Sequence, residues 1–395
     1  MSSVGSISLP TAGGVFDLIR RGEVRTRSDV AQITGLSRTA VTARLSALLE
    51  AGLIVERDGE SSTGGRPPTL LTFNAAAGAV FAVAIGRSRT QLAVCDLAGS
   101  VLASSEADHP AGIGPDELFQ RVRTEMRGLL RKAGVPITLV RGVGLSLPGI
   151  VDTATATCVE APVMRGWDGV ALAPYFEDLA GLVVHVENDS KALALSEVNG
   201  HLRTHPDLVV LKASTGLGCG AFSAGDLIRG ARGSAGELGH SKSPAATGRP
   251  CRCGEVGCLE AVAGGWALVQ ESVADGAAIA HVRDLVALAQ EGDPDARRRI
   301  RESGRRVGEA MATVINLLNP SALVVGGDLA GAYDLFVAGL RETLYASAAS
   351  WTSNDLVILP TTHGEAAGRV GCAQLVVADV VSAVAVDRML LAATV

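Results

Sequence analysis

Between Gly236 and Glu260 the chain reads Gly-Glu-Leu-Gly-His, then ten further residues, then Cys251-Arg252-Cys253-Gly254-Glu255-Val256-Gly257-Cys258-Leu259-Glu260. One imidazole and three thiols at this spacing suit a tetrahedral zinc site built by His240, Cys251, Cys253 and Cys258. Four protein ligands leave no position for an activated water, so one structural zinc per chain is expected. Two carboxylates, Glu237 and Glu260, bracket the cluster. Zinc has no use for them once four ligands are in place, and a hydroxyl-rich ligand is the natural donor to their oxygens.

The remaining cysteines behave differently. Cys95, Cys158, Cys219 and Cys372 each sit singly in an apolar or small-residue run and read as core. Seven cysteines, an odd number, in a 395-residue chain with no apolar signal core at its start argue against a disulfide framework and for a cytoplasmic address. No run of eighteen apolar residues is present, so no membrane span is expected. The length suggests two or three domains. An apolar content of 47% with only 3% aromatics means that the cores must be built from Val, Leu, Ile and Ala. The net charge of −6 excludes a basic surface over the whole chain but leaves room for a local nucleic-acid site.

Such a site is suggested by residues 1–73. They hold eight arginines and no lysine. Thr26 and Asp29 have capping-box spacing and open a helix from Arg27 to Ile33. Gly35 breaks it, and Ser37 caps a second helix reaching about Ala51. There Val41, Leu45, Leu48 and Leu49 form one apolar face. Ser37, Arg38, Thr39, Thr42 and Ala43 lie at its start or on the opposite face. Small side chains let backbone approach a groove, while arginine and threonine reach bases and phosphates. Two helices around a Gly turn are the helix-turn-helix pattern. The strand Leu53–Glu56, a polar turn and the run Thr69–Phe73 add a wing. Its return carries Gly64-Gly65-Arg66-Pro67-Pro68, an extended piece whose Arg66 suits a minor groove. The DNA-binding candidates are therefore Ser37, Arg38, Thr39, Thr42, Ala43 and Arg66, and the expected partner is double-stranded DNA.

From Asn74 onward, strands at 80–85, 91–96, 100–104, 140–147, 182–186, 208–211 and 322–325 alternate with helices at 115–133, 295–318 and 365–381. That is an α/β fold with ligands at strand ends. No internal repeat is visible by eye.

These blocks together resemble the ROK family of repressors, open reading frames and sugar kinases. The resemblance runs nearly end to end. It rests on Gly-Glu-Leu-Gly-His with Cys-x-Cys-Gly-x-x-Gly-Cys-Leu-Glu, on Leu147–Asp152, Glu187-Asn188-Asp189 and Val325-Gly326-Gly327, and on the wing's Gly-Gly-Arg-Pro-Pro, which is similar to the family's repressor branch. It implies a winged helix-turn-helix followed by two actin-like, ribonuclease-H-like α/β lobes. The divisions would be residues 1–73 for the DNA-binding domain, 74–187 for the first lobe, completed by about 365–395, and 188–364 for the second. The resemblance further implies that Asn188, Asp189, Glu237, His240 and Glu260 bind sugar hydroxyls. Asp189 matches the position of the kinase base.

The nucleotide side departs from the kinases. Where they carry Asp-x-Gly-Gly-Thr, this chain has Ala84-Ile85-Gly86-Arg87-Ser88. Ala84 removes a carboxylate expected to help hold metal and phosphate, and Arg87 removes a glycine that lets backbone approach phosphate. Phosphoryl transfer depends on that positioning, so no catalytic residue is expected to act. Val163 replaces an asparagine of many relatives, with Met164 or Arg165 as candidates to reshape the pocket. The expected function is a sugar-responsive DNA-binding regulator, a repressor, that binds a sugar or sugar derivative without phosphorylating it, as a homodimer or a tetramer. Two alternatives are an active ATP-dependent sugar kinase and a regulator controlled by a protein partner.

Overall fold

In the computed structural model, residues 11–58, 69–179 and 182–392 are described. Arg66 lies outside these residues. The N-terminal unit is α1 (Ala12–Arg20), α2 (Arg27–Thr34), α3 (Arg38–Glu50) and the antiparallel pair β1 (Ile54–Asp58) and β2 (Thr69–Phe73). The Thr26–Asp29 capping box is formed in both directions, and Gly35 ends α2 at φ 69°. Ser37 Oγ accepts from the Ala40 N–H and starts α3. Val41, Leu45 and Leu48 are buried, and Leu49 packs at the edge of the same core. Helix α1 was not expected, because Gly13 and Gly14 disguise its start. Thr11 caps it.

The first lobe follows without a spacer, since Asn74 donates from Nδ2 to the Gly52 carbonyl and from its N–H to that of Leu53. Its elements are β3 (Ala79–Ile85), β4 (Arg89–Asp96), β5 (Val101–Asp108), α4 (Pro115–Ala133), β6 (Val140–Leu147), a small sheet of β7 (Ile150–Asp152), β8 (Thr157–Glu160) and β9 (Val170–Ala171), and β10 (Val183–Asn188). The large sheet has the order β10-β6-β3-β4-β5. Helix α5 (Asp189–Leu195) leads away from it. The second lobe contains β11 (Leu208–Ala213), β12 (Leu217–Ser223), β13 (Asp226–Leu227), α6 (Glu260–Ala263), α7 (Gly265–Ala274), α8 (Val282–Glu291), α9 (Pro294–Leu318), β14 (Ala322–Gly326), α10 (Tyr333–Ser347), α11 (Ser350–Ser353) and β15 (Val357–Pro360). Its sheet has the order β13-β12-β11-β14-β15. Helices α12 (Ala367–Val380) and α13 (Ala383–Ala392) close the chain's described part.

The two large sheets are built alike. In each, the first strand lies centrally, pairs antiparallel with a hairpin partner, and is joined on its other side by two parallel strands. The repeat that the residues do not reveal is thus present as topology. Each lobe's last strand exports a helix to the other lobe. Helix α5 leaves β10 and packs on β11 and β12, while α12 leaves β15 and packs on β3 and β6. The exported helices cross in close contact, and a Cβ on Gly371 would stand 1.6 Å from the Ala192 carbonyl oxygen.

The winged unit shares a continuous apolar core with the back of the first lobe. Val15, Phe16, Leu45 and Leu71 belong to the same buried cluster as Val80, Cys95, Val376 and Val386. Asp387 on α13 accepts from the Gly13 N–H of α1 at 2.7 Å. No helix among the described residues is long and apolar enough to cross a membrane.

Candidate functional site

A cavity of about 750 Å³ opens between the lobes, within the range of small-molecule sites. The β3–β4 turn enters it from one side and the β11–β12 turn, at the same topological position in the other lobe, from the opposite side. Asn188, Asp189, Glu237, His240 and Glu260 all line it, although 72 residues separate the first from the last. Convergence of these five is what the lobe topology supplies.

Their individual situations differ. Asn188 is largely occupied: its Oδ1 accepts from the N–H groups of Ser190 and Lys191 and so caps α5, and its Nδ2 donates to the Gly149 carbonyl. Asp189 is ion-paired with Lys212 of β11. Glu260 is 5% exposed. Its Oε1 accepts from Arg252 at 3.1 Å and from the Trp266 indole at 2.9 Å, and its Oε2 accepts from the Leu217 N–H at 2.9 Å. Oε2 keeps capacity for one further donor. Glu237 is the freest acceptor. Burial raises its carboxyl above the usual carboxylate value, Lys191 and His240 oppose this, and Asp189 and Glu260 add to it.

The second glycine turn has a packing reason. A Cβ on Gly216 would stand 2.7 Å from Glu260 Oε2, and one on Gly218 would stand 2.3 Å from Ser190 Oγ. Glycine here admits a buried carboxylate and the start of α5, a role that needs no phosphate.

Beside the cleft, the ligand atoms of His240, Cys251, Cys253 and Cys258 all lie within 4.8 Å of one another. Cys253 Sγ and Cys258 Sγ are 3.8 Å apart, and Cys251 Sγ is 3.9 Å from His240 Nδ1. A tetrahedron with Zn–S bonds of about 2.3 Å has S–S edges of about 3.8 Å. Donor set and spacing therefore fit zinc. Burial raises the Cys251 and Cys258 thiols, so a cation is what would stabilise them as thiolates. Lys242 Nζ, 3.9 Å from Cys258 Sγ, offsets part of the resulting negative charge. With Nδ1 turned to the sulfurs, His240 Nε2 faces Glu237 Oε2 at 3.9 Å.

Ala84 and Arg87 line the cavity at the first turn. Val163 lines it too, but Met164 is buried in the first-lobe core and Arg165 is exposed outside it. Neither replaces the expected asparagine. Sequence reasoning missed Lys212 and Arg252. The signals were a lone lysine within the apolar strand Leu-Val-Val-Leu-Lys-Ala, and an arginine flanked by two zinc-type cysteines. It also missed Arg229, which donates to the buried Glu187 at 2.9 Å and steadies the residue before Asn188.

In the winged unit, Ser37 at the cap of α3 and Arg38, Thr39, Thr42 and Ala43 on it are all exposed. The Arg38 guanidinium has no ion-pair partner among the described residues. Thr42 Oγ1 donates back to the Arg38 carbonyl at 3.0 Å. Arg27 of α2 pairs with Glu56 of β1 at 2.8 Å and joins the helices to the wing strand.

Comparison with known proteins gives consistent relatives. The chain is 26% identical over 382 residues to the xylose repressor of Caldicellulosiruptor bescii, covering 93% of this chain and 95% of that one. It is 24% identical to the DNA-binding transcriptional repressor Mlc of Escherichia coli, covering 94% and 93%. Among solved structures, a ROK family transcriptional regulator described as a homologue of E. coli MLC superposes with a TM-score of 0.79 at 27% identity, over 97% of this chain and 99% of that chain. A ROK family glucokinase from Streptomyces griseus, in complex with glucose and AMPPNP, gives 0.65 at 29% identity, over 75% and 99%. A winged helix-turn-helix DNA-binding family matches residues 17–55. Because the ROK family matches residues 80–379, the chain belongs to the ROK family.

Proposed function

We propose that this protein is a sugar-responsive transcriptional regulator, a repressor, that binds operator DNA through Arg38, Thr39, Thr42 and Ala43. Ser37 shapes the helix start, and Arg66 follows the wing. The carrying observation is that α12 borders the sugar cleft through Ala367 and Gly368 and, further along, shares a core with the winged unit. A ligand that favours one lobe arrangement would then bias the placement of α3. In the cleft, Glu237, His240 and the remaining capacity of Glu260 accept or donate to sugar hydroxyls. Asn188 and Asp189 complete the wall. One zinc per chain, on His240, Cys251, Cys253 and Cys258, fixes the imidazole so that Nε2 faces the ligand.

The cleft binds without phosphorylating. Asp189, the base position, is held by Lys212, and the first turn presents Ala84 and Arg87 in place of a carboxylate and a glycine. The working form is a homodimer, which matches paired half-sites. Trp351, 94% exposed, and Leu317, 77% exposed, lie where α11 meets the end of α9, and support self-association at this edge.

The test is fluorescence anisotropy with DNA from upstream of the protein's own gene, with and without a panel of sugars. Arg38→Ala should weaken specific binding by about 1–3 kcal/mol. Undiminished affinity would remove Arg38 from the interface. Hexose-dependent ADP formation that Asp189→Asn abolishes would overturn the non-enzymatic reading.

A further inference from the structure

Two arginines of the cleft have unspent hydrogen-bonding capacity. The Arg252 side chain is only 20% exposed. It gives Nη2 to Glu260 and lies over the Trp266 ring with 4.7 Å to the centroid. Its Nε and Nη1 are shut off from solvent and meet no acceptor. Arg87, half-buried at the tip of the β3–β4 turn, has no hydrogen-bond or ion-pair partner among the described residues. It lines the same cavity from the opposite lobe.

The other cations of the wall are engaged. Lys212 pairs with Asp189, Arg89 with Glu106, and Arg283 with Asp108. Asp328 takes a hydrogen bond from Ser214. Neither arginine forms an ion pair with Glu160, Glu237 or Glu365 among the described residues. Glu260 balances the charge of Arg252, but that of Arg87 stands half-buried with no counter-charge among the described residues, which is unfavourable unless an anion joins it. The guanidinium fork matches the oxygens of phosphate and carboxylate.

We propose that the cleft takes an anionic sugar, phosphorylated or carboxylated, whose acidic group lies between Arg87 and Arg252 while its hydroxyls face Glu237 and His240. The inference rests on reading the cleft as a sugar site. Arg87 thereby gives the first turn a new use: side-chain charge stands where the kinase pattern has glycine, and it addresses an acidic group on the sugar itself.

Calorimetry on the full-length, zinc-loaded protein tests this with glucose, mannose and xylose, with glucose 6-phosphate and mannose 6-phosphate, with glucuronate, and with inorganic phosphate. Charged sugars should bind about ten- to a hundredfold tighter than their neutral parents. Arg87→Ala should abolish most of that preference and weaken phosphate binding similarly. Phosphosugar or uronate selectivity identifies which acid is read. Because Arg87 is on a surface turn, its variant should keep the parent's Tm and zinc content. Arg252→Gln serves as the second variant, and if it loses zinc, Arg87→Ala alone decides. Neutral sugars binding as tightly as charged ones, or a charge preference that Arg87→Ala leaves intact, overturns the proposal and leaves the sugar reading standing. Binding of phosphate alone, lost in Arg87→Ala, upholds the anion site and overturns the sugar reading. No binding by any probe overturns both.

Discussion

Asp29 accepts hydrogen bonds from the N–H groups of Arg25 and Thr26, at 2.9 and 2.8 Å, while Thr26 Oγ1 accepts from the Asp29 N–H. The Arg25 N–H foremost, then Thr26, holds the Asp29 carboxyl below its ordinary value of 3.8. A depressed carboxyl stabilises the fold above its unfolded-state pKa and loses that contribution as pH falls through the folded one. The cap should therefore be intact at neutral pH and weaken below about pH 4. Asp29→Ala should cost about 1 kcal/mol at pH 7, seen as faster amide exchange in α2, and less at pH 3. An equal cost at both pH values would mean that the charge is not involved. This cap was readable because its partners are three residues apart. Lys212 was not: its partner Asp189 is 23 residues away, and only the lobe topology brings β11 opposite the start of α5.

At the scale of elements, the zinc loop and α13 carry opposite lessons. The loop was legible because metal chemistry demands a donor set whatever surrounds it, and the four donors do converge. Metal analysis should give about one zinc per chain. Removal by a chelator should lower Tm by roughly 5 °C or more and weaken ligand binding, since His240 loses its anchor. An unchanged Tm after complete zinc removal would deny the loop a structural metal. The α1–α13 contact was illegible, because Gly13-Gly14 looks like a break in a helical pattern. The reason for Gly13 is close approach: a Cβ there would stand 1.9 Å from the Ala383 carbonyl oxygen. Gly13→Ala should destabilise this seam by about 1–3 kcal/mol, with lower operator affinity and little change in ligand affinity. Loss of ligand binding as well would show that the seam is not confined to the DNA-binding end.

For the whole molecule, alternating strands and helices pointed to an α/β fold, the two-lobe plan came from the resemblance of the motif blocks, and the winged unit from a capped helix pair followed by two strand runs. The exchange of α5 and α12 between lobes left no periodic trace, since α5 is only 7 residues long and opens on Asp-Ser-Lys, while α12 is mostly small and apolar and looks like ordinary core. At the crossing Gly371 lies against Ala192, and beneath α12 Gly144 lies against Cys372, each so closely that a Cβ would clash with the facing carbonyl oxygen.

The bond from Gly13 to Asp387 spans 374 residues of chain. During synthesis the winged unit emerges well before the helix that completes its seat. At about 5–20 residues per second that interval is roughly 20–75 s. For that time the apolar side of α1 has no α13 to cover it, although the helix-turn-helix can already form. Full competence to hold DNA in a ligand-dependent way is therefore acquired late, when α13 returns to α1. A chain cut short before α13 keeps the contact of α12 with the winged unit but loses the Asp387 bond that fastens α1, so the ligand's signal would reach a looser reader of DNA.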